Sequence, residues 1–111
     1  MIKLRHMQSL FLVLVGAAVA LETVADILFK KWSLGGKSLL LAIGLALYFA
    51  GTVVWAYSLK YEYLSKAITA FTVLNLILVV LAGVYLFNEQ LSLLNKLGIL
   101  FGIASVILIQ L

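Results

Sequence analysis

The fold class that the sequence predicts is all-α and membrane-embedded, with four transmembrane helices. Hydrophobic residues fill 66% of the 111 positions and charged residues only 11%. A soluble domain of this size needs far more polar surface. Apolar runs recur at Ser9–Phe29, Leu39–Leu59, Ala67–Phe87 and Leu93–Leu111, each close to the roughly 20 residues that a helix needs to cross the hydrocarbon core. None alternates in polarity as a transmembrane β-strand does, and in lipid a helix pairs its own backbone groups.

The first run follows Lys3 and Arg5 and contains Ala18-Val19-Ala20, a pattern similar to a signal peptide with its cleavage site. Its apolar character continues past that point to Phe29, so a retained helix is expected. The second and third runs carry no charged residue. The connections are short: Lys30–Ser38 with Gly35-Gly36, Lys60–Lys66, and a turn at Asn88-Glu89-Gln90. Loops of this length make neighbouring helices antiparallel, and residues 1–111 read as a single four-helix domain. There is no proline, so any kink would fall at Gly16, Gly44, Gly51 or Gly83.

Several function classes are set aside by composition. The chain has no cysteine, hence neither disulfides nor thiolate metal ligands. The formal charge of +4 comes mostly from residues between apolar runs, where they anchor in lipid headgroups. No basic face with stacking aromatics speaks for nucleic acid. No nucleotide loop, metal cluster or catalytic triad is present, so neither an enzyme nor a cofactor is expected.

Basic residues divide evenly between the two sides of the expected bundle. Lys3, Arg5, Lys60 and Lys66 lie on one side, and Lys30, Lys31, Lys37 and Lys96 on the other. Orientation follows the side richer in Lys and Arg, so a balanced chain is expected to insert both ways and pair as an antiparallel homodimer, or as a heterodimer with a paralogue.

Glu22 and Asp26 are the acids inside the expected spans. Glu22 falls three residues past the middle of its run, or about 5 Å from the midplane at 1.5 Å per residue. An isolated charge at that depth costs at least about 3 kcal/mol, so the group must face a cavity, meet a partner or hold a proton. A carboxyl that holds either a proton or a cation can exchange one for the other. Asp26 and Lys30 follow at one-turn steps on the same helix face, which also allows an ion pair that merely orients the helix.

Other polar residues are less decisive. Thr69, Thr72 and Asn75 recur in three-residue steps on the third run, either to line a cavity or to bond a neighbouring helix. Tyr48 lies near mid-span, where its hydroxyl needs a partner; Trp55 and Tyr57 near a span end fit the interfacial belt. Gly98, Gly102 and Ser105 give the fourth run a small-residue face suited to dimer contact.

The stretch Ala20-Leu21-Glu22-Thr23-Val24-Ala25, with Lys30 after it, resembles the first helix of the small multidrug resistance family within the drug/metabolite transporter superfamily. Tyr48, Phe87-x-Glu89-x-Leu91 and Gly98 resemble further positions of that family. The resemblance implies that Glu22 is a shared proton and substrate site and Tyr48 a binding-site tyrosine. It implies proton-coupled export of a small cationic or amphipathic compound by alternating access, in a bacterial or archaeal inner membrane. The site would then comprise Glu22, Asp26, Tyr48, Phe71, Thr72 and Asn75, enclosed by the first three helices, with the fourth packing the dimer.

One region departs from that pattern. Where the drug exporters read Gly-Thr-Ala-Tyr-Ala-Ile-Trp, this chain has Ser65-Lys66-Ala67-Ile68-Thr69-Ala70-Phe71, so the tyrosine and tryptophan of that segment are not carried over. The continuation from Leu74-Asn75-Leu76 through Leu81-Ala82-Gly83-Val84-Tyr85-Leu86 resembles the small flippase subunits for undecaprenyl-phosphate aminoarabinose, whose first helix lacks the glutamate. That resemblance implies flipping of a lipid-linked amino sugar as the alternative, and a non-transporting partner subunit is a third reading.

Overall fold

A computed structural model describes the backbone of residues 2–111 and the side chains from Met7 onward. The side chains of Lys3 and Arg5, counted above for orientation, lie outside the described residues. Among the described residues there are four α-helices: α1 Ile2–Ser33, α2 Ser38–Ser58, α3 Leu64–Leu86 and α4 Leu93–Gln110. All four carry a segment long and apolar enough to cross a membrane, in α1 from Met7 to Ser33.

Three boundaries differ from the sequence expectation by more than one residue, the first being the start of α1, at Ile2 instead of Ser9. Helix α1 continues past Phe29 to Ser33, and α3 begins at Leu64 instead of Ala67, so Lys30, Lys31 and Lys66 are helical. Long lysine stems follow apolar surface while the ammonium reaches headgroups, so these residues need not end a helix. Lys30 and Lys31 also complement the negative end of the α1 dipole. What stops α1 is Gly35, whose φ of +100° is open to glycine and strained for other residues. The amide of Gly36 then closes the turn on the carbonyls of Lys31 and Trp32. At the same end of the bundle Ser92 caps α4, accepting a bond from the amide of Asn95 at 3.1 Å.

Helix α1 is central. It packs against α2 on one flank and α3 on the other, and α4 packs on α3. The result is a slab of 51 × 35 × 18 Å. Phe11, Val15 and Val19 of α1 meet Ala67 of α3 in the buried cluster, with Trp55 and Phe71 against it. The Trp55 and Phe71 rings lie 4.8 Å apart at 58°, a tilted pairing that favours edge against face. Trp55 therefore turns inward to its neighbours, although its place near a span end had suggested the interfacial belt.

The α1–α2 seam is close because α2 presents glycines to it. A Cβ on Gly44 would lie 2.7 Å from the Phe29 ring, and one on Gly51 would lie 3.2 Å from the Ala18 carbonyl oxygen. Without a hydrophobic drive between helices in lipid, such small-residue contacts and the dispersion they allow supply the association. These two glycines are thus points of helix contact.

Candidate functional site

Glu22 is buried in this seam at 6% exposure. The Thr52 hydroxyl of α2 lies 3.3 Å from one carboxyl oxygen and 2.9 Å from the Tyr48 carbonyl oxygen. The contact to Glu22 is longer than the usual O–H···O range of about 2.5–3.0 Å, so it is a weak restraint. Gly51 lies flat beside the Glu22 stem, where a Cβ would be 2.8 Å from Cγ. Thr52 escaped the sequence reading, and its signal was present: it lies one turn after Tyr48 on α2.

Asp26 and Lys30 are on α1 as expected, yet they turn to another neighbour. Both line a cavity of about 130 Å³ between α1, the end of α3 and the α3–α4 turn, together with Thr23, Gly83 and Glu89. Glu22 does not line it. The amides of Phe87 and Glu89 both bond the Gly83 carbonyl, at 3.3 and 3.1 Å, and Asn88 takes a left-handed φ of 53° between them. That turn folds the Glu89 carboxylate over Gly83, where any side chain would displace it. There Lys30 approaches Glu89 at 3.9 Å, with the two side chains 44% and 49% exposed. An ion pair so exposed contributes only about 0–1 kcal/mol and is readily exchanged. Lys30 thus pairs across to the turn, and not with the carboxylates of its own helix.

The remaining predicted site residues are dispersed. Tyr48 is 44% exposed, with its ring centroid 6.2 Å from that of Phe29. Phe71 packs on Trp55, and Thr72 is exposed. The Asn75 side-chain oxygen is buried with no hydrogen-bond partner, as is the Thr23 hydroxyl. Thr69 bonds a neighbouring helix, accepting from the Gln110 amide of α4 at 2.7 Å. On α4, Gly98 meets open space, Gly102 would meet Leu76 of α3 at 3.8 Å, and Ser105 bonds the Phe101 carbonyl of its own helix. Among the described residues no group of His, Cys, Asp and Glu is placed to hold a metal ion.

A second, larger groove of about 470 Å³ opens between α1, α3 and α4 towards the other membrane face, apolar apart from Gln8, Glu62 and Gln110. Acidic groups therefore occur at the α1–α2 seam, in the small cavity near one face, and at the rim of the groove near the other.

Comparison with known families matches residues 2–111 to EamA, the EamA-like transporter family. No curated protein and no solved structure gives a significant match. Transport, with a small-molecule substrate and a lipid environment, accords with the four apolar helices and the buried carboxyl. With the match extending over the described chain, this multi-pass membrane protein belongs to the EamA-like transporter family.

Proposed function

We propose that the protein exports a small cationic or amphipathic compound in exchange for protons, by alternating access, with Glu22 as the shared site. The observation that carries this reading is a carboxyl group at 6% exposure in a membrane-spanning helix, held among the described residues by a single long hydrogen bond from the Thr52 hydroxyl and by no ion pair. A carboxyl fixed by a lysine or arginine would be occupied; this one is available to a proton or to a passing cation.

Tyr48 and Thr52 belong to the site through α2, because Thr52 joins the Tyr48 backbone to the Glu22 carboxyl. Asn75 contributes a buried oxygen that lacks a donor. Phe71 supports the α1–α3 packing beside Trp55, and exposed Thr72 is available to a second copy of the chain. An antiparallel dimer in a bacterial or archaeal inner membrane completes the reading, with α4 as its contact. Support comes from the balanced lysines and from α4 having no buried residue.

Reconstituted protein tests the exchange directly. Adding a cationic substrate to lightly buffered wild type should release protons, and Glu22→Gln should release none while remaining folded. Proton release that persists in Glu22→Gln would place the exchange elsewhere. Normal transport by that variant would bring forward the flipping of a lipid-linked amino sugar.

A further inference from the structure

We infer that the cavity formed by Thr23, Asp26 and Glu89 is a second ligand site, separate from Glu22, that takes a primary ammonium group. In the empty protein, Lys30 acts as its tethered competitor.

Two independent observations meet there. The first is the pair of carboxylates: Asp26 lines the cavity from α1, and Glu89 is brought in by the turn that closes over Gly83. The second is the Thr23 hydroxyl, which lines the same cavity at 8% exposure and has no hydrogen-bond partner. A threonine in a helix readily bonds a carbonyl one turn earlier, as Thr52 and Thr69 do here. Thr23 does not, and a buried hydroxyl left unpaired is costly. A ligand donor in the cavity would satisfy it.

The chemistry selects the ligand. A primary ammonium carries three N–H donors and no acceptor. The cavity offers three acceptors of matching kind: the Asp26 carboxylate, the Glu89 carboxylate and the Thr23 hydroxyl. Ile27, Val79 and Phe87 supply an apolar wall for the body attached to the amine. The volume of about 130 Å³ is comparable with the ~150 Å³ that takes up a benzene-sized guest. A quaternary ammonium has the charge but no N–H, so it would leave the three acceptors unfilled.

Lys30 already presents a primary ammonium to this cavity, with Nζ 3.9 Å from Glu89 and half in solvent. An incoming amine displaces it to the headgroups and takes over Glu89. Binding therefore releases the tie between the end of α1 and the α3–α4 turn. Asn75, whose side-chain oxygen is also buried without a partner, lies one turn before Val79 on α3 but does not line this cavity.

The test uses benzylammonium and benzyltrimethylammonium, titrated into protein in phosphatidylcholine vesicles. A Glu22→Gln background removes the site proposed above, so failure of either reading shows separately. In that background benzylammonium should still bind, and benzyltrimethylammonium should bind at least about tenfold more weakly. Adding Asp26→Asn should weaken benzylammonium by about tenfold or more. Lys30→Met, at a half-exposed side chain, should strengthen it roughly threefold by removing the competitor. Loss of all binding in Glu22→Gln would overturn the second site while leaving the first. Equal affinity for the two compounds would overturn it as well, and that comparison needs no further substitution. Repeating the titration with half the lipid bearing ethanolamine headgroups separates two sources of amine, both within the proposal. Weaker benzylammonium binding there identifies a lipid amine as an occupant, and unchanged binding identifies a soluble one.

Discussion

A Cβ on Gly51 would stand 2.8 Å from Cγ of Glu22, so the buried carboxyl of α1 owes its position to the missing side chain on α2. The Ala18 carbonyl oxygen at 3.2 Å and Leu21 Cβ at 3.3 Å leave the added methyl no other place. Gly51→Ala should therefore part the α1–α2 seam or swing Glu22 out of it, costing about 1–3 kcal/mol as overpacking does. Transport and thermal stability in detergent should both fall. Gly16→Ala is the control, because its Cβ would meet nothing within 4 Å. That variant should be neutral or up to about 1 kcal/mol more stable, since alanine favours helix. Equal behaviour of the two variants would mean that the seam is not close-packed in the membrane.

The pH dependence follows from competition at one carboxyl. If proton and cation share Glu22, each weakens the other by the same factor. Cation affinity should then rise with pH by up to about tenfold per unit while Glu22 is protonated, and level off once it is ionised. Glu22→Gln should flatten the curve and stop transport, whereas Glu22→Asp should keep exchange and move the pH at which it begins. Thr52→Val should retain the pH dependence with a shift, because the lost bond is long and worth about 1 kcal/mol at most. An unchanged pH profile in Glu22→Gln would remove Glu22 from the exchange.

Much of this was legible in the sequence, for a plain physical reason. Lipid leaves the backbone one economical solution, so four apolar runs became four helices, and Gly35-Gly36 marked the first turn. Glu22 was legible because a carboxylate at that depth has few explanations. The direction each side chain takes was not legible. One-turn spacing put Glu22, Asp26 and Lys30 on a common face, but α1 has neighbours on both flanks. Glu22 meets Thr52 of α2, while Asp26 and Lys30 line the cavity beside α3. The partner of Lys30 could not be read either, since Glu89 arrives through a turn 59 positions later. Glycine roles were equally hidden, because a close approach depends on what the opposing helix presents.

The Gln110 side chain should anchor the end of α4. Its amide donates to the Lys66 carbonyl at 2.8 Å and to the Thr69 hydroxyl at 2.7 Å, across the start of α3. Hydrogen bonds between membrane helices average about 0.6 kcal/mol, with individual values up to about 1.7. Gln110→Leu should accordingly cost about 1 kcal/mol and speed hydrogen exchange in the last turn of α4. If exchange there is unchanged, the apolar contacts of α4 suffice to hold it.

Orientation should be undecided in the wild type. Lys60 and Lys66 lie at one end of the bundle and Lys30, Lys31, Lys37 and Lys96 at the other, with Lys3 and Arg5 in the amino-terminal segment balancing the sum. Reporter tags on the carboxyl terminus should register on both sides of the membrane. Two lysines added to the Lys60–Tyr63 turn should shift most copies to one orientation, and charge-reversed loops should shift them back. A tag found on one side alone would exclude pairing of oppositely inserted copies.

The two glycines of α4 should separate two kinds of contact. Gly102 faces Leu76 of α3 at 3.8 Å, while Gly98 meets open space and shares its helix face with Leu94, Phe101 and Leu108. Those three are 79%, 70% and 72% exposed, so the face carrying Gly98 is uncovered within one copy. If α4 forms the dimer contact, a second copy approaches along that face, and Gly98 sets how near the backbones come. Gly98→Leu should lower the dimer fraction in detergent without lowering the unfolding temperature of the single copy. Gly102→Leu should push α4 off α3, lowering the unfolding temperature and affecting the dimer only as a consequence. The comparison can be read by cross-linking or light scattering at matched protein-to-detergent ratio. Should Gly98→Leu dimerise as wild type does, α4 is not the contact, and the exposed face of α2 carrying Phe49 and Val53 becomes the next place to probe.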